Sequence, residues 1–239
     1  MAERIGGIDR MIRAIILDAD DTLWETELLY QRALDLTQFE VERHDIDGDA
    51  WRKLQLQLDL EAVKTAAFDI DRFPSSSARA YKELAPRYDA EVEQRVYDLT
   101  STVFRSEARL FPETSGVLER LVGHYRLAVI TKGDVEIQHK RLDHSGLAHR
   151  FDSISIVETK RPETFGSMCD LLAVHPSEAV SVGNSLASDV LPAIEAGLSG
   201  IWIDAPVWAH ERRAAESVPS EVIKLASLSE LPDAVGNLS

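Results

Sequence analysis

The chain has 239 residues, 44% hydrophobic and 28% charged, which is enough length and apolar content for a buried core. Its 26 Lys and Arg against 41 Asp and Glu leave a formal net charge of −15, which opposes non-specific attraction to nucleic acid or an anionic membrane. A single cysteine, Cys169, excludes an intrachain disulfide, and no apolar run reaches signal-peptide or membrane-span length, so a cytoplasmic location is expected.

Residues 1–10 read as a short polar leader. The first apolar run is 14–17, and comparable runs follow at 127–130, 154–157, 179–182 and 200–203. Each has strand length and no polar alternation, the pattern of strands buried on both faces. Helix-like stretches at 135–142, 163–173 and 189–196 separate the last four. Strands alternating with helices predict an α/β fold: an open, mostly parallel sheet with helices on both sides.

Between Trp24 and Arg109 no such run occurs, and the segment reads as helices at 28–42, 49–67, 76–87 and 89–106. In the last, Val92, Val96, Leu99 and Val103 form one apolar stripe, with Asp89 as its N-cap. In the second, Leu54, Leu56, Leu58, Leu60 and Val63 predict a broad apolar face. Turn chemistry is expected at 45–49, 73–77 and 86–89. The division that follows is a sheet-bearing core from 11–23 and 110–239, with an all-helical insert at 24–109.

In an open parallel sheet, ligands bind at the carboxyl ends of the strands. The first run ends in Asp18 and Asp20, the second in Thr131 and Lys132, the third in Glu158, Thr159 and Lys160. The fourth ends in Gly183, Asn184 and Ser185, with Asp189 a turn later. Carboxylates, a hydroxyl and lysines on one edge are the inventory for phosphoryl transfer, which needs a nucleophile, a divalent cation and charge neutralisation.

These residues resemble the haloacid dehalogenase-like superfamily of hydrolases. The family's strand followed by Asp-x-Asp-x-Thr is matched by Asp18, Asp20 and Thr22, its strand ending in Thr or Ser by Thr131. Its lysine shortly before a helix is matched by Lys160, and its Gly-Asp-x-x-x-x-Asp is met from Gly183 through Asn184 to Asp189. The four stand in family order over residues 14–197, and the helical insert is similar to the family's type 1 cap. The resemblance implies a Rossmann-like, doubly wound catalytic core with an inserted helical cap domain. It also implies Asp18 as the nucleophile forming an aspartyl-phosphate, and Asp20 as general acid and base. Thr22 is expected to orient Asp20. Thr131, backbone donors and Lys160 would hold the phosphoryl group, with Lys132 as a further candidate that could equally be a solvated lysine beside Asp134. Mg²⁺ would take Asp18, the Asp20 backbone carbonyl, Asn184 and Asp189. Position 184 departs from the family, which most often has Asp there. The amide can still ligate, but one negative charge is lost, so Asp189 is expected to carry more of the electrostatic hold, directly or through water.

Each motif alone has a plainer reading. Residues 18–21 could be an acidic turn capping a helix at Leu23, Asp134 a helix N-cap, Lys160 a surface lysine, and Asp189 a charge at a helix start. Those readings give no reason for the four motifs to fall at successive strand ends. Trp208, His210 and Glu211 read as structural, and His139, His144 and His149 have no ligand-like partners. Trp51, Arg52, Phe68, Arg72, Phe73 and Tyr81 could be core or substrate-facing.

The expected activity is Mg²⁺-dependent hydrolysis of a small phosphate monoester, with no nucleic-acid or membrane partner and oligomeric state left open. A 2-haloacid dehalogenase is the first alternative, but those enzymes lack the second Asp. A phosphomutase would keep all four motifs, and a non-catalytic module binding a phosphorylated ligand or a protein is the remaining alternative.

Overall fold

A computed structural model describes residues 11–66, 69–204 and 218–238; the leader 1–10, Phe68 and the 208–211 stretch lie outside them. In chain order, β1 (Ala14–Leu17) and β2 (Trp24–Glu25) precede α1 (Glu27–Glu42), α2 (Gly48–Ala66), α3 (Arg72–Leu84) and α4 (Ala90–Ser101). Then come β3 (Arg109–Leu110), α5 (Thr114–Leu121), β4 (Arg126–Lys132), α6 (Val135–Ser145), β5 (Ser153–Val157) and α7 (Pro162–Leu172). The chain closes with β6 (Ala179–Gly183), α8 (Leu191–Glu195), β7 (Ser199–Ile203), β8 (Ile223–Leu225) and α9 (Leu231–Gly236).

All five apolar runs are strands of one parallel sheet, ordered β5-β4-β1-β6-β7-β8. Alternate side chains go to opposite faces. Ile15 and Leu17 pack with Leu118, Leu121, Leu142, Leu231 and Val235 on one face. Ala14 and Ile16 pack with Phe165, Met168, Cys169 and Ala193 on the other. The sheet is therefore covered by α5, α6 and α9 on one side and by α7 and α8 on the other, the doubly wound α/β arrangement. β2, β3, β8, α5 and α9 were not anticipated, because two- or three-residue strands and short helices carry too few periodic positions to register. Paired antiparallel, β2 and β3 set Trp24 opposite Leu110 and Glu25 opposite Arg109, where the helical segment leaves and returns.

The chain divides into two compact units: the sheet unit, and a helical unit of Thr26–Glu107 with Gly133–Ile137. Val41, Trp51, Leu58, Tyr81, Val92 and Val96 form one core cluster of the helical unit. Asp89 caps α4 by accepting from the Glu91 N–H at 2.8 Å. Two expectations change here. The apolar face of α2 is not all buried: Leu56 and Leu60 are 44% and 37% exposed, while Gln55 and Asp59 are buried. Arg72, bonded to Asp59 at 2.5 Å, draws that carboxylate inward. Nor is 73–77 a break. Pro74 sits in the first turn of α3, where its missing N–H costs nothing, and the Ser77 hydroxyl donates to the Phe73 carbonyl at 2.9 Å. Trp51, Phe73 and Tyr81 are core residues, and Arg52 is bonded to Asp35 and Gln38. No helix among the described residues is long and apolar enough to cross a membrane.

Candidate active site

β1 lies between β4 and β6, with Leu17 level with both Val129 and Val182. The chain runs from β1 to β4 and β5 on one side, then to β6, β7 and β8 on the other, so the strand order reverses beside β1. That is where an open α/β sheet leaves a crevice. The Asp18 N–H donates to the Val182 carbonyl at 2.9 Å, carrying the ladder one residue past β1. The chain then turns sharply, with Leu23 N–H donating to the Ala19 carbonyl at 2.8 Å and Asp21 at φ 59°. Asp tolerates this left-handed backbone better than most residues. No helix begins at Leu23; β2 follows instead.

This turn folds Thr22 back over Asp18. Its hydroxyl lies 3.1 Å from Asp18 Oδ2 and 3.4 Å from Asn184 Oδ1. Thr22 therefore supports Asp18 and Asn184, not Asp20 as the sequence suggested, because the tight turn aims it at the residue four places before it.

Lys160, from the loop between β5 and α7, is bonded through Nζ to Asp18 Oδ1 and, at 2.6 Å, to Asp189 Oδ1. Asp18, Lys160 and Asp189 are only 8%, 5% and 2% exposed, so Lys160 is no surface lysine. Asp189 Oδ2 accepts the Ser185 N–H at 2.9 Å, so both its oxygens are engaged. A side chain at Gly183 would place Cβ 2.2 Å from that oxygen, which is why glycine stands there. The expected helix at 189–196 is divided into a π-helical turn, Leu186–Val190, and the short α8. Burial pushes the Asp18 carboxyl up to about 7, with the Asp189 charge adding to the rise and Lys160 pulling back. For Lys160 burial works against the ammonium, but the charges of Asp18 and Asp189 prevail and raise its pKa. With Asp18 and Asp189 both ionised, two carboxylates and one ammonium give this buried cluster one negative charge in excess.

Asp20 faces different neighbours. Trp24 Nε1 donates to Oδ1 at 2.7 Å and Gln138 Nε2 to Oδ2 at 2.7 Å. Arg141 Nη1 lies 3.0 Å from each carboxylate oxygen. Gln138 and Arg141 escaped the sequence reading. The available signal was their spacing of three on α6, the helix that follows the Thr131 strand end, which puts both on one helix face.

Lys132 Nζ donates to Ser188 Oγ at 2.7 Å, and Gln138 also donates to the Lys132 carbonyl at 2.9 Å. Asp134 caps α6, accepting from Ile137 N–H at 3.0 Å. Thr131 Oγ1, at the end of β4, is buried with no hydrogen-bond partner among the described residues. His139, His144 and His149 are exposed. Among the described residues no group of three or more His, Cys, Asp or Glu side chains is placed to hold a metal ion. The oxygens around Asp18 come instead from the Thr22 hydroxyl, the Asn184 amide and the Asp189 carboxylate that shares Lys160. A cavity of about 970 Å³ lies at the opposite edge, lined by Arg13, Arg126, His149, Phe151 and Asp152 at the amino ends of the strands, and contains none of Asp18, Asp20, Thr131, Lys132, Lys160, Asn184 and Asp189.

Fold and site together define a Rossmann-like α/β protein with a buried carboxylate–lysine cluster at its topological switch point. The family model for haloacid dehalogenase-like hydrolases matches residues 12–197, and this chain belongs to that family. It is 27% identical to mouse N-acylneuraminate-9-phosphatase over 95% of this chain and 94% of that protein. It is 25% identical to the glyceraldehyde 3-phosphate phosphatase of Methanothermobacter thermautotrophicus, over 93% of this chain and 99% of that one. Among solved structures, a haloacid dehalogenase-like family hydrolase from Xanthomonas campestris superposes with a TM-score of 0.80, at 25% identity and 96% coverage of each chain.

Proposed function

We propose that this protein hydrolyses a small phosphate monoester with Mg²⁺ through an aspartyl-phosphate on Asp18. The observation that carries the reading is the pair of carboxylates two residues apart at the end of the central strand: Asp18 buried against Lys160, Asp20 partly exposed and held by separate donors. Asp18 attacks phosphorus as the phosphorus–oxygen bond to the leaving group breaks, and Asp20 gives its proton to the departing oxygen. Asp20 then takes a proton from water, which attacks the phosphorus and returns Asp18 as a carboxylate. Lys160 neutralises charge on Asp18 and the phosphoryl group. The unpartnered Thr131 hydroxyl is available to a phosphoryl oxygen, and Lys132 is a further phosphate-binding candidate. The relatives named for phosphatase activity support the same reaction. By resemblance to the family, the helical unit is the cap that selects the leaving group.

The residues fit a magnesium ion. The buried cluster has a negative charge to spare, and Asp18 Oδ2 and Asn184 Oδ1 both approach the Thr22 hydroxyl, so hard oxygen donors converge there. Asp18, Asn184 and the Asp20 carbonyl would hold the ion, while Asp189, with both oxygens engaged, would act through water. Mg²⁺ supplies charge neutralisation for the phosphoryl oxygens.

A panel of phosphate monoesters tests the reading. Phosphate release with Mg²⁺ that ceases in chelator and returns with added Mg²⁺ is expected. Silence across the panel would favour a binding module, release indifferent to chelator would remove the metal, and sugar-phosphate isomerisation without release would indicate a mutase. Dehalogenation gives Asp20 no alkoxide to protonate. Asn184→Asp should tighten Mg²⁺ binding by about tenfold by restoring a charged ligand. Unchanged affinity in a calorimetric titration would show that Asn184 does not hold the ion.

A further inference from the structure

We infer that Arg141, with Gln138, is a positioning residue for Asp20: α6 holds the acid/base carboxylate in the orientation that meets the leaving oxygen. The inference rests on the reading of Asp20 as acid and base. Among the described residues the Asp20 carboxylate is bonded by Trp24, Gln138 and Arg141 and not by Lys160. Arg141 is 6% exposed at its side chain against 25% for Asp20, so the clamp is the more buried of the two. One guanidinium nitrogen lies 3.0 Å from both carboxylate oxygens in a charge-assisted contact, and with Trp24 donating to one oxygen and Gln138 to the other the carboxylate's rotation is restricted. Gln138 is itself tied by the Lys132 carbonyl, so the clamp is anchored to the end of β4 next to Thr131. A site residue held by side chains that are themselves locked keeps its geometry within the tolerance that proton transfer needs.

This arrangement has a consequence for substrate class. Proton delivery matters for a leaving group that departs poorly as an anion, such as an alkoxide, and little for one that is stable as an anion. The clamp therefore matters for alkyl phosphates, and a nitrophenyl phosphate reports the rest of the site.

The experiment measures kcat/KM, which covers steps through departure of the leaving group, for an alkyl phosphate drawn from the panel and for 4-nitrophenyl phosphate. Arg141→Met should lower the alkyl value by about 100-fold and the nitrophenyl value by less than about tenfold. Asp20→Asn should show the same substrate split. In the double variant, loss of Arg141 should add almost nothing to loss of Asp20, because the one acts only through the other. Arg141→Lys should recover part of the alkyl activity. Gln138→Leu, which leaves the arginine in place, should give a smaller loss with the same split, and serves if Arg141→Met does not fold. Equal losses on both substrates, or additive losses in the double variant, would overturn the positioning role and make Arg141 an independent substrate contact or a structural residue. If Asp20→Asn itself kept full alkyl activity, the acid/base reading would fail first, and the clamp with it.

Discussion

Asp18→Asn is expected to reduce phosphate release by about 10⁴-fold or more, the scale seen when a covalent nucleophile is removed. The asparagine has the same shape but cannot form the acyl phosphate, so the two-step route is closed. The fold should not suffer. Burial and the Asp189 charge push the Asp18 carboxyl up to about 7. A carboxyl whose folded pKa lies above its unfolded value binds a proton more readily when folded. Its contribution to stability therefore falls as pH rises from the ordinary carboxylate range through about 7. Asparagine removes that loss. In metal-free buffer at pH 8 the variant should melt no lower than the parent, the usual opposition between a strained functional charge and stability. Activity within tenfold of the parent would overturn the nucleophile assignment. A hydroxylamine-sensitive phosphoryl label should form on the parent and not on the variant.

Lys160→Met is expected to damage both activity and stability. Its ammonium is the positive member of a buried cluster otherwise made of Asp18 and Asp189. Removing one partner of such a pair leaves uncompensated buried charge, at a cost of about 3–5 kcal/mol. In a chain of this size that corresponds to a fall of roughly 10 °C in the melting temperature of the sheet unit. Phosphate release should fall by about 100-fold or more, since among the described residues Lys160 is the positively charged group bonded to Asp18. Saturating Mg²⁺ should restore part of the lost stability by neutralising Asp18, but not the activity. An unchanged metal-free melting curve would mean that the three groups are not the charged cluster described. Lys160→Arg, which keeps the charge, should lose activity with a smaller loss of stability.

Much of this was legible in the chain alone, for identifiable reasons. The five apolar runs became strands because a strand buried on both faces needs continuous apolar residues, and nothing in tertiary context opposed that. Asp18, Asn184 and Lys160 came together because strand ends in one parallel sheet share an edge. The buried face of α2 was decided by a pair between two helices, Arg72 drawing Asp59 inward, and the start of α3 by a local fit, Pro74 taking a place in its first turn.

The motif at 18–22 marks the difference most clearly. Its residues and their order, together with the motifs at the later strand ends, carried the resemblance to the family, whose model matches residues 12–197. What Thr22 and Asp20 each touch was settled only by the fold. A turn with Asp21 at φ 59° carried the Thr22 hydroxyl back to Asp18 and Asn184. Asp20 was left to Gln138 and Arg141, 118 and 121 residues away in the chain. Sequence spacing specifies which residues can share a strand end, but a side chain's hydrogen bonds depend on which distant element packs beside it.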